Sequence, residues 1–197
     1  MKSIVLCEKP SQARNVQAAV GNRFGRVIGL RGHIIRLADP EEVNPEWKKW
    51  SCDLLRPESG FYPFAEDRTG GKDKLLREIR NELKDAQRVI IATDCDREGQ
   101  AIGENLTRYL KFRGEVYRAM FNAEDEASLR EAFSNLRPNK DYLRLYQAAV
   151  ARAQVDQIAN LSATRAATVV LKPDGMRGAV GMGRVSPHWW QTRRFWK

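Results

Sequence analysis

Histidine and cysteine are scarce in this chain of 197 residues, with two of the first and three of the second. Cys7, Cys52 and Cys95 are scattered and odd in number, matching neither the paired spacing of a zinc site nor a disulfide framework. That usage points to a reducing, cytoplasmic setting. No apolar run approaches the roughly 20 residues that span a bilayer, so no membrane partner is expected. The opening run Ser3 to Cys7 is too short for a secretory signal and is followed at once by Glu8 and Lys9. Acidic residues are in deficit, with 25 against 34 Lys and Arg and a net charge of +9. That balance suits a polyanionic partner.

The few acids that matter are concentrated. Val89, Ile90, Ile91 and Ala92 form a short β-branched run, the pattern of a strand buried on both faces of a parallel sheet. Thr93 ends it, and Asp94, Asp96 and Glu98 follow at alternate positions. Carboxylates this close repel one another unless a cation sits among them. Mg²⁺ takes such oxygen ligands, usually one or two carboxylates plus a phosphate. A solvated acidic turn has the same spacing, but the end of a buried strand is where open α/β sheets bind ligands. A second strand, Ser3 to Cys7, ends in Glu8-Lys9-Pro10-Ser11, and Gln12 to Val20 then has a helical pattern closed by Gly21. Glu8 and Lys9 therefore fall at a strand's carboxyl end beside a helix start able to receive phosphate.

Short strands are also expected over 24–29 and 33–37, then a long loop from Ala38 to Pro63 with four prolines, Trp47 and Trp50. Those tryptophans could stack bases, but packing the loop onto its domain is the reading adopted. Lys72 to Asp85 is an amphipathic helix with Leu75, Leu76, Ile79 and Leu83 on one face. Gln100 to Phe112 and Glu124 to Leu136 are further helices around a strand at 116–121. Strands alternating with helices give an α/β fold, a mostly parallel sheet covered by helices on both faces. From Asp141 to Ala167 the chain reads as helix, with a modest apolar stripe through Val155, Ile158, Ala159, Ser162, Ala166 and Val169. Arg152, Asp156, Asn160 and Thr164 repeat every four residues on another face.

Glu8, together with Asp94-x-Asp96-x-Glu98-Gly99, resembles the Toprim domain shared by topoisomerases, bacterial primases and some nucleases. Cys7-Glu8-Lys9-Pro10-Ser11-Gln12-Ala13, Gly32-His33-Ile34 and Thr93-Asp94-Cys95-Asp96-Arg97-Glu98-Gly99 are similar to blocks of type IA topoisomerases of the topoisomerase III kind. So are Ala151-Arg152, Asp156, Asn160 to Ala166 with one extra residue before Thr164, and Gly183-Arg184-Val185. The resemblance implies a Toprim domain over 1–137 and the start of an α-helical DNA-binding domain over 138–185. Residues 186–197 depart from the family with Ser186-Pro187-His188-Trp189-Trp190 and a basic end. A shifted reading frame or an engineered end is expected there; the alternative is a base-stacking tail.

The resemblance further implies cleavage and religation of single-stranded DNA, in which a tyrosine attacks a backbone phosphate and releases a 3′ hydroxyl. Glu8 is the expected general acid, with Mg²⁺ held by Glu8, Asp94, Asp96 and Glu98. Lys9, His33, Arg152, Asp156, Arg165 and Arg184 are the expected DNA contacts. None of Tyr62, Tyr109, Tyr117, Tyr142 and Tyr146 lies in the nucleophile's motif, so this chain is expected to be an inactive amino-terminal part. A Toprim nuclease or primase, and a non-catalytic DNA-binding module, are the alternatives.

Overall fold

The computed structural model describes residues 2–172 and 178–180. In chain order the elements begin β1 (Ser3–Cys7), α1 (Pro10–Val20), β2 (Arg26–Gly29), β3 (Ile35–Leu37), α2 (Pro40–Val43) and β4 (Phe64–Glu66). They continue α3 (Lys72–Lys84), β5 (Arg88–Ala92), α4 (Arg97–Tyr109), β6 (Glu115–Arg118), α5 (Glu126–Ser134), β7 (Arg137–Pro138) and α6 (Leu143–Leu171). Five strands form one sheet in the order β2-β1-β5-β6-β7, and β3 pairs with β4 apart from it. All pairs in the larger sheet are parallel except β6 with β7, whose two residues run antiparallel.

The two strands read as buried are buried throughout. Ile4 to Cys7 and Val89 to Ala92 have no exposed surface. Because side chains alternate along a strand, each feeds two cores. Ile4, Leu6, Val89 and Ile91 meet Leu76, Ile79 and Leu83 of α3 and Ile102 and Leu106 of α4. Val5, Cys7, Ile90 and Ala92 meet Val16 and Ala19 of α1 and Leu129, Ala132 and Phe133 of α5. Each such aliphatic side chain contributes about 1.5–3 kcal/mol by leaving water. The expected α/β sheet with helices on both faces is the fold found.

The described residues form two compact units, 2–36 with 64–150, and 37–63 with 151–172 and 178–180. The division is not sequential, unlike the boundaries at 137/138 and 185/186 that the family resemblance implies. Within the second unit, the 38–63 loop and α6 satisfy each other's polar groups. Gln154 Oε1 accepts the Tyr62 amide at 2.8 Å and its Nε2 donates to the Tyr62 carbonyl at 2.9 Å. Gln157 donates to the Ala38 carbonyl at 2.6 Å, and Ser162 Oγ accepts the Leu55 amide at 2.9 Å. The apolar stripe expected along this helix is therefore not its packed face. From Ala151 onward the buried residues of the helix are Gln154, Arg165 and Thr168, while Val155 and Val169 are 63% and 50% exposed. A loop rich in unpaired backbone groups needs polar partners more than apolar ones.

Candidate active site

The sheet changes direction between β1 and β5. From β1 the chain moves outward to β2, then returns across to β5 on the other side of β1. The crevice beyond the carboxyl ends of two such strands is where open α/β sheets bind ligands. Cys7 and Ala92 are paired in register, so Glu8 leaves the sheet beside Thr93, one residue before Asp94. The Asp94 amide donates to Glu8 Oε2 in a long hydrogen bond of 3.4 Å.

Glu8 is half-buried, and its carboxyl pKa is raised, first by burial and then by the charges of Asp94 and Asp96. The Asp94 amide and Lys9 oppose that rise without cancelling it. Lys9 does not neutralise the acids of the crevice, because its Nζ lies 3.4 Å from Glu124 Oε1 instead. A carboxyl whose pKa is raised is better suited to serve as a general acid than an ordinary one.

Asp96 is the N-cap of α4, with Oδ1 accepting the Gly99 amide at 2.7 Å. That cap starts the helix at Arg97, three residues before the start expected from apolar spacing. Thr93 Oγ1 donates to the Gly99 carbonyl at 2.6 Å, folding the turn back on itself. Gly99 is required by this closeness, since a Cβ there would sit 2.2 Å from the Asp94 carbonyl oxygen.

Several residues that hold the site were not singled out by the sequence reading. Arg118, fully buried in β6, donates from Nη1 to the carbonyls of Ile91 (3.1 Å) and Thr93 (2.9 Å) and from Nη2 to that of Asp94 (2.5 Å). Its signal was a lone charge in the otherwise apolar run 116–121. Cys95 Sγ donates to the Phe121 carbonyl at 2.8 Å and accepts the Phe121 amide at 2.9 Å. Gln12, also without exposed surface, and Glu124 complete the surroundings.

The expected four-carboxylate ligand set is not assembled. Glu98 Oε1 lies 2.6 Å from His33 Nε2, while Asp96 is engaged in its cap. Among the described residues no group of three or more His, Cys, Asp and Glu is placed to hold a metal ion. What remains adjacent is Glu8 beside Asp94 at the strand ends, with Asp96 in the turn that follows. Mg²⁺ keeps several waters and takes only one or two protein carboxylates beside substrate phosphate. The donors fit that ion, and do not fit a closed protein cage.

The other expected DNA contacts fall in the second unit. Arg152 and Asp156 pair with each other at 3.4 Å across one helical turn. Arg165 is 6% exposed and donates to the Trp47 carbonyl and to Glu41 at 3.1 Å, with its guanidinium over the Trp50 ring. That commitment differs from the phosphate contact expected of it, because the loop supplies both its acceptors and its stacking surface. Trp50 carries the Arg165 guanidinium while 42% exposed, and the Trp47 ring lies 6.4 Å from that of Tyr62. Gly183-Arg184-Val185 and the 186–197 tail lie outside the described residues. No helix among the described residues is long and apolar enough to cross a membrane.

The Toprim domain model matches residues 3–123, the span that carries Glu8, Asp94, Asp96 and Glu98. The chain belongs to the Toprim family. Its relatives place it within that family. It is 31% identical over 179 residues to DNA topoisomerase 3 of Bacillus cereus strain ATCC 14579 and 32% identical over 181 residues to that of Bacillus subtilis strain 168. Each alignment covers 85% of this chain and 24% of the relative, so the chain spans about a quarter of the length of the curated relatives it matches. Full-length topoisomerase I from Thermotoga maritima has a similar structure, with a TM-score of 0.63 and 27% identity over 82% of this chain and 25% of that one. This Toprim chain is thus type IA, topoisomerase III-like, by resemblance.

Proposed function

We propose that these residues supply the acid–base and metal-binding groups with which a topoisomerase III-like enzyme cuts and rejoins one strand of DNA. The observation that carries the reading is the half-buried Glu8 beside Asp94, with its carboxyl pKa raised. In cleavage Glu8 delivers its proton to the departing 3′ oxygen, and in religation the same carboxylate takes that proton back. Asp94 and Asp96 would hold Mg²⁺, with Glu8 beside them; bound there, the ion supplies charge stabilisation and orientation at the scissile phosphate. Lys9 exchanges Glu124 for a phosphate oxygen when DNA arrives. His33, Arg152, Asp156, Arg165 and Arg184 are assigned to DNA contact on the family resemblance alone. Arg165 would first have to leave Glu41 and Trp47.

None of the five tyrosines of this chain is proposed as the attacking group, since none lies in the family's nucleophile motif. Tyr62 is 2% exposed and donates to the Leu55 carbonyl, while Tyr146 is 8% exposed and donates to Asn105. The test is a Mg²⁺-dependent assay of the purified chain on supercoiled plasmid and on labelled single-stranded oligonucleotide. The reading expects salt-sensitive binding of the single strand and no relaxation. Robust relaxation would overturn the assignment of the nucleophile, and nicking or primer synthesis would turn the reading to a Toprim nuclease or primase.

A further inference from the structure

Gln12 is the third residue of α1 and has no exposed surface. A glutamine there that reaches back to the chain before the helix is ordinarily a capping device. Its Oε1 does this, accepting the Glu8 amide at 2.8 Å. The other end of the amide does something capping does not need. Nε2 donates to Asp94 Oδ1 at 2.8 Å and to Glu124 Oε1 at 3.3 Å. The partners fix which end is which, since a backbone N–H needs an acceptor and two carboxylates need a donor. One buried side chain therefore joins the start of α1 and the end of β1 to a carboxylate that follows β5.

We infer that Gln12 is a positioning residue, which fixes the Asp94 carboxylate relative to Glu8 through Oδ1 and leaves Asp94 Oδ2 outside that hydrogen bond. The inference rests on the proposed function for the use made of Asp94. Gln12 ligates nothing itself. A buried amide bonded at both ends has no rotamer to which it can move without orphaning a donor or an acceptor. Asp94 is exposed at the surface of its turn, and without this bond its side chain would be free among its rotamers. Partners of this kind, which orient a ligand from behind, change metal affinity about 10–100-fold when removed.

The test uses the whole chain with Gln12→Met, which keeps the length and apolar volume and removes both hydrogen bonds. Gln12→Asn is made beside it as a shorter amide unable to span both partners, in case the first variant does not fold. Asn15→Ala is the control, because Asn15 donates to Glu124 alone, at 2.7 Å. Mg²⁺ affinity is measured by calorimetry, and the Asp94 side-chain carboxyl signal is followed by ¹³C NMR without metal. Expected are a loss of affinity of about 10–100-fold in the Gln12 variants, a displaced Asp94 signal, and less than about twofold change in Asn15→Ala. Wild-type affinity with an unmoved Asp94 signal overturns the inference, as does an equal loss in Asn15→Ala. If the wild type binds no Mg²⁺, the metal reading fails instead, and the Asp94 signal still decides the role of Gln12.

Discussion

Glu8 Oε2 accepts the amide of Asp94, a residue 86 positions away in the chain, and the two acids stand at the ends of adjacent parallel strands. The proximity has a thermodynamic consequence. Burial and the Asp94 charge raise the Glu8 pKa above the ordinary 4.5. Between those two values the folded chain binds more protons than the unfolded one, so stability falls as pH rises through that window. Glu8→Gln keeps an acceptor for the Asp94 amide and removes the charge. Thermal melts against pH should coincide for the two proteins below the window and show the variant more stable above it. A variant less stable at neutral pH would contradict the assigned environment of Glu8.

Arg118 anchors the turn from beneath. Its three carbonyl acceptors belong to Ile91, Thr93 and Asp94. Arg118→Met removes all three bonds, leaving the buried Thr93 carbonyl without this donor while Ile91 keeps the Ala119 amide, and hydrogen bonds from a charged group are worth about 1.5–3 kcal/mol each. A loss of at least about 3 kcal/mol in urea unfolding is expected. Arg118→Lys should recover only part of it, because an ammonium cannot reproduce the guanidinium fork.

Gly99 makes the approach of α4 to the turn possible. The Cβ of Gly99→Ala would meet the Asp94 oxygen at 2.2 Å and its nitrogen at 2.9 Å, both backbone atoms. The turn must then move, so the variant should lose Mg²⁺ affinity by more than about tenfold, as displaced ligands do. Calorimetry on the folded variant checks this.

Away from the crevice, Asp67 ties β4 to α3. Burial alone would raise its pKa, but hydrogen bonds from Lys72 and Thr69 outweigh that and lower it to about 2. Lys72 lies 2.7 Å away and also donates to the His33 carbonyl. A carboxylate lowered from the ordinary 3.8 to about 2 contributes about 2 kcal/mol above its unfolded pKa, lost as pH falls through the folded value. Asp67→Asn should be destabilised by about that much at pH 7, with the gap closing between about pH 4 and pH 2.

The two central strands were legible because continuous β-branched runs have few other uses, and the carboxylates because they follow those runs directly. The start of α4 at Arg97 was not, since the cap by Asp96 depends on a backbone turn that apolar spacing does not encode. Gln12, Arg118 and Glu124 were missed for a related reason. Their partners lie 82, 24 and 112 residues away for the Gln12–Asp94, Arg118–Asp94 and Gln12–Glu124 bonds. The packed face of α6 was misjudged because a polar loop covers it, so the exposed Val155 and the buried Gln154 reverse the usual hydrophobic rule.

The central claim is that Asp94 and Asp96 hold a cation beside Glu8. Calorimetric titration of Mg²⁺ into the wild type and into the double variant Asp94→Asn with Asp96→Asn tests it most directly, since asparagine still caps α4 and preserves the fold. The account predicts Mg²⁺ binding by the wild type and its loss in a double variant whose melting is cooperative and near wild type. Equal binding by both proteins would contradict it.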